Sequence, residues 1–226
     1  MSLRLTLAGA VAAVLAGPAA IAAAQTPPRI LPLTKPCYVS ATQDQRELVE
    51  VHGEGFSGDT AVDVLVDDVL QPMSTQPMTN ALGEIVGSVA APFMPSGQRL
   101  FTIRLTDRSP KAITASVITK VTALSVTQSP VKASSSSKVR FRLRGFTDKT
   151  KPVYAHYVFK DKVRATVLIG KPYGDCGLLS VRRKQFPIKR PKPGSWTIQF
   201  DQDQAYNPSP PLFTRLPVKV SRGPRG

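Results

Sequence analysis

The chain of 226 residues holds two cysteines, Cys37 and Cys176, and two histidines, His52 and His156. These four residues bound the nucleophilic chemistry available to it. A Ser–His–Asp hydrolase needs a histidine that orients and shuttles a proton. His52 closes an alternating run just before Gly53, His156 sits inside Tyr154-Ala-His-Tyr157, and no G-x-S-x-G elbow is present. Both histidines read as structural or surface residues. The sharpest enzymatic alternative pairs Cys176 as thiolate with His156 as base, with Arg182 and Arg183 downstream. Cys176 falls in the turn Gly174-Asp-Cys-Gly177, and its spacing from His156 carries no thiol-enzyme signature. No C-x-x-C or H-E-x-x-H occurs. Asp59, Asp63, Asp67 and Asp68 lack the spacing of a calcium loop and read as a solvated acidic edge. No catalytic, metal or cofactor site is expected.

The basic residues are better organised. Across 139–144, Val139, Phe141 and Leu143 alternate with Arg140, Arg142 and Arg144. In a strand, period two sends the three arginines to one face and the apolar residues to the other. Arg182, Arg183 and Lys184 follow in the same half, with Lys160, Lys162, Arg164, Lys189, Arg190 and Lys192 around them. Clustered cations attract polyanions and release counterions on binding, which makes such binding sensitive to salt. The anion-binding set read from the sequence is therefore Arg140, Arg142, Arg144, Arg182, Arg183 and Lys184. The bland alternative is a basic surface that serves solubility and edge protection alone.

Charge is unevenly spread. The net charge is +15. Residues 35–123 hold 7 Lys+Arg and 10 Asp+Glu, whereas residues 124–226 hold 21 and 5. Asymmetry of this size points to an anionic partner for the second half.

The elements that must position these residues are strands. After Gln25 the chain shows short β-branched runs separated by Gly, Pro, Asn, Asp and Ser, a spacing that argues for a sandwich or barrel. In the first half strands are expected from Cys37, over 48–52, 61–66, 84–89, 99–106 and 113–121, with an irregular edge strand over 72–79 that carries two prolines. In the second half they are expected over 139–144, 153–159, 163–169, 178–186, 196–200 and 216–220. The order repeats: Gly145-Phe146 answers Gly55-Phe56, Gly174-Asp-Cys-Gly177 answers Asn80-Ala-Leu-Gly83, and Lys192-Pro-Gly-Ser195 answers Pro95-Ser-Gly97. Such a repeat implies duplication of a domain. The joint is expected near 125–137, around Pro130 and the run of four serines at 134–137.

The ends complete the organisation. Arg4, an apolar run over 5–24 and the exit Ala22-Ala-Ala24 describe a secretory signal peptide cleaved after Ala24. The expected organisation is a signal peptide at 1–24, a proline-rich linker at 25–36, a net acidic sandwich at 37–123, a strongly basic sandwich at 124–222 and a tail at 223–226. In an exported chain two cysteines commonly pair. In an end-to-end tandem, however, Cys37 would lie at the far end of the first sandwich and Cys176 at the joint, while a bond needs Cα atoms within about 7 Å. An intramolecular bond, free thiols and an intermolecular bond all stay open.

Val49-Glu-Val-His-Gly-Glu-Gly-Phe56, then the run to Asp67-Asp68, then Asn80-Ala-Leu-Gly83, resembles an IPT/TIG-type bacterial immunoglobulin-like domain. The second half, with Gly145-Phe146, Tyr154-Ala-His-Tyr157, Cys176-Gly177 and Trp196-Thr-Ile-Gln-Phe-Asp201, resembles exported proteins of high-GC Gram-positive bacteria. The resemblance covers nearly all the chain after residue 24. It implies an all-β protein of two tandem immunoglobulin-like β-sandwiches after an N-terminal signal peptide, secreted or associated with the cell envelope, and it carries no catalytic residue to transfer. The expected partner is an anionic envelope polymer or surface, such as teichoic acid, lipid headgroups or polysaccharide. No specific nucleic acid is expected, and the first domain is the candidate for a protein partner.

Overall fold

The computed structural model describes residues 27–221 of the chain; the expected signal peptide at 1–24 and the tail at 223–226 lie outside them. Among the described residues every regular element is a strand, and no helix is long and apolar enough to cross a membrane.

Among the described residues fifteen strands form four sheets, and the sheets divide by sequence. In the first half, β1 (Arg29–Ile30), β3 (Leu48–Glu54) and β6 (Ile85–Ala90) form a three-stranded sheet in the order β1-β3-β6. A five-stranded sheet, β2-β8-β7-β4-β5, joins β2 (Cys37–Ser40), β4 (Val62–Val66), β5 (Val69–Leu70), β7 (Gln98–Asp107) and β8 (Thr114–Ala123). In the second half, β9 (Ser125–Ser129), β10 (Lys138–Arg144) and β13 (Leu179–Lys184) form the sheet β13-β10-β9. The strands β11 (Val153–Phe159), β12 (Lys162–Gly170), β14 (Gly194–Asp201) and β15 (Phe213–Val220) form the sheet β12-β11-β14-β15.

Alternation explains both layers. In the first half Val49 and Val51 of β3 and Ile85 and Val89 of β6 are buried in one cluster with Val62 and Val64 of β4 and Phe101, Ile103 and Leu105 of β7. In the second, Val139, Phe141 and Leu143 of β10 are buried with Val153, Ala155 and Tyr157 of β11 and Trp196, Ile198 and Phe200 of β14. The rings of Phe141 and Phe200 meet across the two sheets at 5.5 Å, a tilted contact that adds to simple burial. Two separate apolar clusters between facing sheets give a sandwich-like all-β fold.

The repeated turn motifs do the same mechanical work in both halves. Gly83 has φ +75°, and a Cβ there would stand 2.0 Å from the Phe56 carbonyl oxygen; Gly177 has φ +59°, and a Cβ there would stand 2.1 Å from the Phe146 carbonyl carbon. Phe56 N–H donates to Gly83 C=O and Phe146 N–H to Gly177 C=O. Each glycine lets a turn backbone lie directly on the Gly-Phe segment, and each phenylalanine fills its own core. The hairpins β4–β5 and β11–β12 turn through Asp67-Asp68 and Lys160-Asp161, all four residues with positive φ, as a two-residue hairpin requires to match strand twist.

Two expectations need correction. Residues 72–79 form no strand; they make one isolated bridge, Ala61 to Met78, and a backbone hydrogen bond from Ser74 N–H to Ser88 C=O, and Pro72 and Pro77 remove donors that a ladder would use. The edge is instead the two-residue β5. Residues 125–129, expected in the joint, are strand β9, paired with β10 from Arg140–Ser129 to Arg144–Ser125. A polar β-branched run reads as a loop until a neighbour supplies hydrogen bonds. Only Leu124 separates β8 from β9, and its N–H donates to Ser40 C=O.

The strands β7 and β14 each end on a buried aspartate. Asp107 is 1% exposed and accepts from the N–H groups of Ser57 and Ile113 and from the Ser109 hydroxyl. Burial by itself would raise the Asp107 carboxyl, but these donors outweigh it and hold the group well below its ordinary 3.8. A carboxyl depressed in the folded state stabilises above its unfolded value and loses that contribution as pH falls. Asp107→Asn is therefore expected to cost about 1–3 kcal/mol in urea unfolding at neutral pH, with the gap to the parent protein narrowing as pH drops below about 4. For the glycines, Gly83→Ala is expected to destabilise by well over about 1 kcal/mol. Gly174→Ala, also at positive φ but with nothing within 4 Å, should lose only about 1 kcal/mol from backbone strain. Equal losses at the two positions would show that the close approach to Phe56 is unimportant.

Candidate anion-binding face

The strand β10 lies between β13 and β9, so its outward face is the centre of a three-stranded surface. Lys138, Arg140 and Arg142 are exposed, Arg144 is half-buried, and the three apolar residues between them are buried. Register then fixes the neighbours. Arg140 stands opposite Arg182 and Lys138 opposite Lys184 on β13, while Arg142 faces Ser180. On the other side Ser129, Thr127 and Ser125 oppose Arg140, Arg142 and Arg144. The face thus carries six cations in two rows, flanked by small hydroxylic residues, and none of its positions is acidic or aromatic.

This arrangement is electrostatically costly as it stands. Like charges directly opposite on neighbouring strands are destabilising, and here two such pairs are adjacent. The first half treats its arginines differently: Arg99 pairs with Asp67, Arg104 with Asp68 and Arg108 with Asp63, at 2.6–2.8 Å. Among the described residues no ion pair involves Lys138, Arg140, Arg142, Arg144, Arg182 or Lys184. Arg144 is tied down by a hydrogen bond from its guanidinium to Gln98 Oε1 at 3.0 Å, the face's link to the first half.

Of the six residues singled out in the sequence, five share this face. Arg183 does not. It stands opposite Val139, turned toward the core side, where its guanidinium donates to Leu168 C=O at 2.8 Å and its Nε is buried without a partner. Burial pushes the nearby Tyr157 hydroxyl up to about 12, against the opposing pull of the Arg183 charge. A run of three cations on a strand cannot all point one way, and the alternation that separates Arg183 was readable from Arg182-Arg183-Lys184. Lys138 was passed over in the sequence, although it shares parity with Arg140.

The cysteines form a disulfide, Cys37–Cys176, with Cα atoms 5.3 Å apart. The distance that stood against this bond rested on placing Cys37 far from the joint. The strand β2 instead runs parallel to β8, with Cys37 opposite Lys120 and Ser40 opposite Ala123, so Cys37 lies beside the end of β8 that leads into the second half. Lys120 donates to Asp175 at 2.8 Å next to the bond. The thiol that a Cys176-dependent reaction needs is thereby consumed. His156 is fully buried, its Nε2 donating to Asp201 Oδ1 and Asp203 C=O at 3.1 Å each and its Nδ1 meeting the Thr166 hydroxyl at 3.0 Å. Gln199 donates to the same carboxylate and is itself held by Arg215. These groups satisfy one another, and the five clefts lined by Phe56, Leu100, Gln202, Val131 and Cys37 with their neighbours include none of them. Among the described residues no cluster of His, Cys, Asp and Glu is placed to hold a metal ion.

Compared with known proteins, the chain matches no family model and no curated relative.

The disulfide closes a loop with a sequence separation of 139 residues, and removing it widens the unfolded ensemble. Replacing both cysteines by serine is expected to lower stability by about 2–5 kcal/mol in denaturant unfolding. A loss under about 0.5 kcal/mol would mean that the non-covalent contacts at the joint already fix the two halves.

Proposed function

We propose that this is a non-enzymatic exported module of the cell envelope, built from two tandem immunoglobulin-like sandwiches of the IPT/TIG type, whose basic second domain associates with anionic surfaces. Residues 1–24 act as the cleaved signal peptide, and the joint falls at Leu124. The disulfide is compatible with an extracellular protein, since such bonds persist in oxidising compartments. Division of the buried apolar residues into two clusters, one from residues 38–121 and one from residues 139–220, favours two domains. The first, with its paired surface arginines, acts as a spacer or protein-binding unit.

One observation carries the functional reading: the cations of β10 and β13 are stacked opposite each other without acidic partners, while Arg99, Arg104 and Arg108 on the first half's five-stranded sheet each have one. A basic surface that served solubility alone would gain from dispersing its charge. An anionic ligand relieves the repulsion and makes binding the compensating gain.

The test is cosedimentation of the purified protein with isolated cell envelopes across a salt series. Binding is expected to be steeply salt-sensitive. The triple variant Arg140→Gln, Arg142→Gln, Arg182→Gln should reduce the slope of log affinity against log salt by about 2–3. Its unfolding midpoint should be unchanged or raised, because an opposed like-charge pair is removed. A control with Arg164→Gln, Lys189→Gln and Arg190→Gln loses the same charge away from this face. Equal loss in both triples would assign binding to net charge, and unchanged retention in the first would end the proposal.

A further inference from the structure

Building on that reading, we infer that the β10 face is a ladder for a linear phosphodiester polymer, recognised through its backbone phosphates and not through any base or sugar attached to it.

The spacing comes first. Lys138, Arg140, Arg142 and Arg144 occupy alternate positions of one strand, so successive cations are spaced by roughly 7 Å along it. Two residues of extended peptide contain six backbone bonds. A phosphodiester whose phosphates are bridged by three carbons also has six bonds per repeat, and six bonds at full extension span roughly 7 Å in either chain. The strand and the polymer are commensurate, so each phosphate of an extended chain can meet a cation in turn. An extended polycarboxylate polypeptide presents every second side chain on one face at that same repeat, so the distinction from a phosphodiester rests on the chemistry of the rungs.

The chemistry of the rungs agrees. Three of the four cations on β10 are arginine, and the planar guanidinium fork binds phosphate oxygens bidentately where lysine acts as a point charge. The flanking positions Ser125, Thr127, Ser129 and Ser180 stand beside the arginines in register, and their hydroxyls are suited to the remaining phosphate oxygens. Arg182 and Lys184, opposite Arg140 and Lys138, give one end of the ladder a second row. Base recognition on single strands needs aromatic stacking platforms, and no position of this face is aromatic. The occupant is therefore read by its phosphates alone. A polyol phosphate of the envelope and single-stranded nucleic acid share that backbone.

The experiment measures binding of the purified protein to four probes at one ionic strength: poly(glycerol phosphate), oligo-dT of equal phosphate number, polyglutamate of equal charge, and vesicles containing anionic phospholipid. The phosphodiester probes are expected to bind about tenfold or more tightly than polyglutamate, and within about threefold of each other, because no base is read. Arg142→Lys keeps the charge and the strand, and should cut the preference for phosphodiester over polyglutamate about threefold or more while leaving the salt dependence intact. Equal binding of polyglutamate overturns the ladder but leaves the broader anion-binding proposal standing. A strong preference for oligo-dT over poly(glycerol phosphate) overturns backbone-only recognition. Binding of vesicles without either soluble phosphodiester assigns the face to a lipid surface and overturns the ladder. No binding to any probe removes the anion-binding proposal itself.

Discussion

Burial of Val139, Phe141 and Leu143 against the facing sheet is the constraint on which the cationic surface depends. Side chains alternate strictly along a strand, so a slip of one residue in β10 would bring Arg140 and Arg142 into the core and expose three large apolar groups. The contact of Phe141 with Phe200 and the pairing of β10 on both edges leave a single register. The cost of placing like charges opposite one another is thus met by apolar packing on the reverse face. The cations are held where they are by something other than their own interactions, which is the condition for a preorganised binding surface.

The joint between the halves obeys a second constraint, proximity forced from several directions. The nearly uninterrupted passage from β8 to β9 leaves one residue of slack, and Gly145, with φ +93°, lies so close to Leu124 that a Cβ there would come within 2.9 Å of its Cα. The disulfide, the Lys120–Asp175 pair and the Arg144–Gln98 hydrogen bond then tie the same region. A surface ion pair of this kind contributes little by itself. The covalent bond and the backbone packing carry the restraint, and through Arg144 that restraint reaches the end of the cationic row.

Much of this was legible in the residues. The alternation in 139–144, the Gly-Phe segments, the turn glycines and the strands around Val49, Phe101 and Phe200 follow from period-two patterning and turn chemistry, both local properties. What was not legible depended on partners distant in sequence. Val126 and Thr127 gain strand geometry only because β10 lies beside them. Cys37 comes near Cys176 only because β2 pairs parallel with β8, a choice between two strand directions that no local pattern encodes. Arg183 was misplaced for a different reason: parity along β13 would have separated it, but charge was counted there without following the alternation. The opposed pairs Arg140–Arg182 and Lys138–Lys184 required the register of two strands some forty residues apart.

The bond between Cys37 and Cys176 also sets how the molecule would respond to being pulled. A load applied at the two ends of the chain enters at residue 37, crosses the sulfur–sulfur linkage and leaves at residue 176. The strands β3 to β12 and the whole of the first core lie inside the closed loop and cannot be drawn out while it is intact. Extension is confined to the segment before β2 and to β13, β14 and β15. Tension on an anchored chain would therefore fall on β13 and β15, the two ends of the extensible segment, and β13 carries one row of the cations while the strand β10 beside it stays within the protected contour.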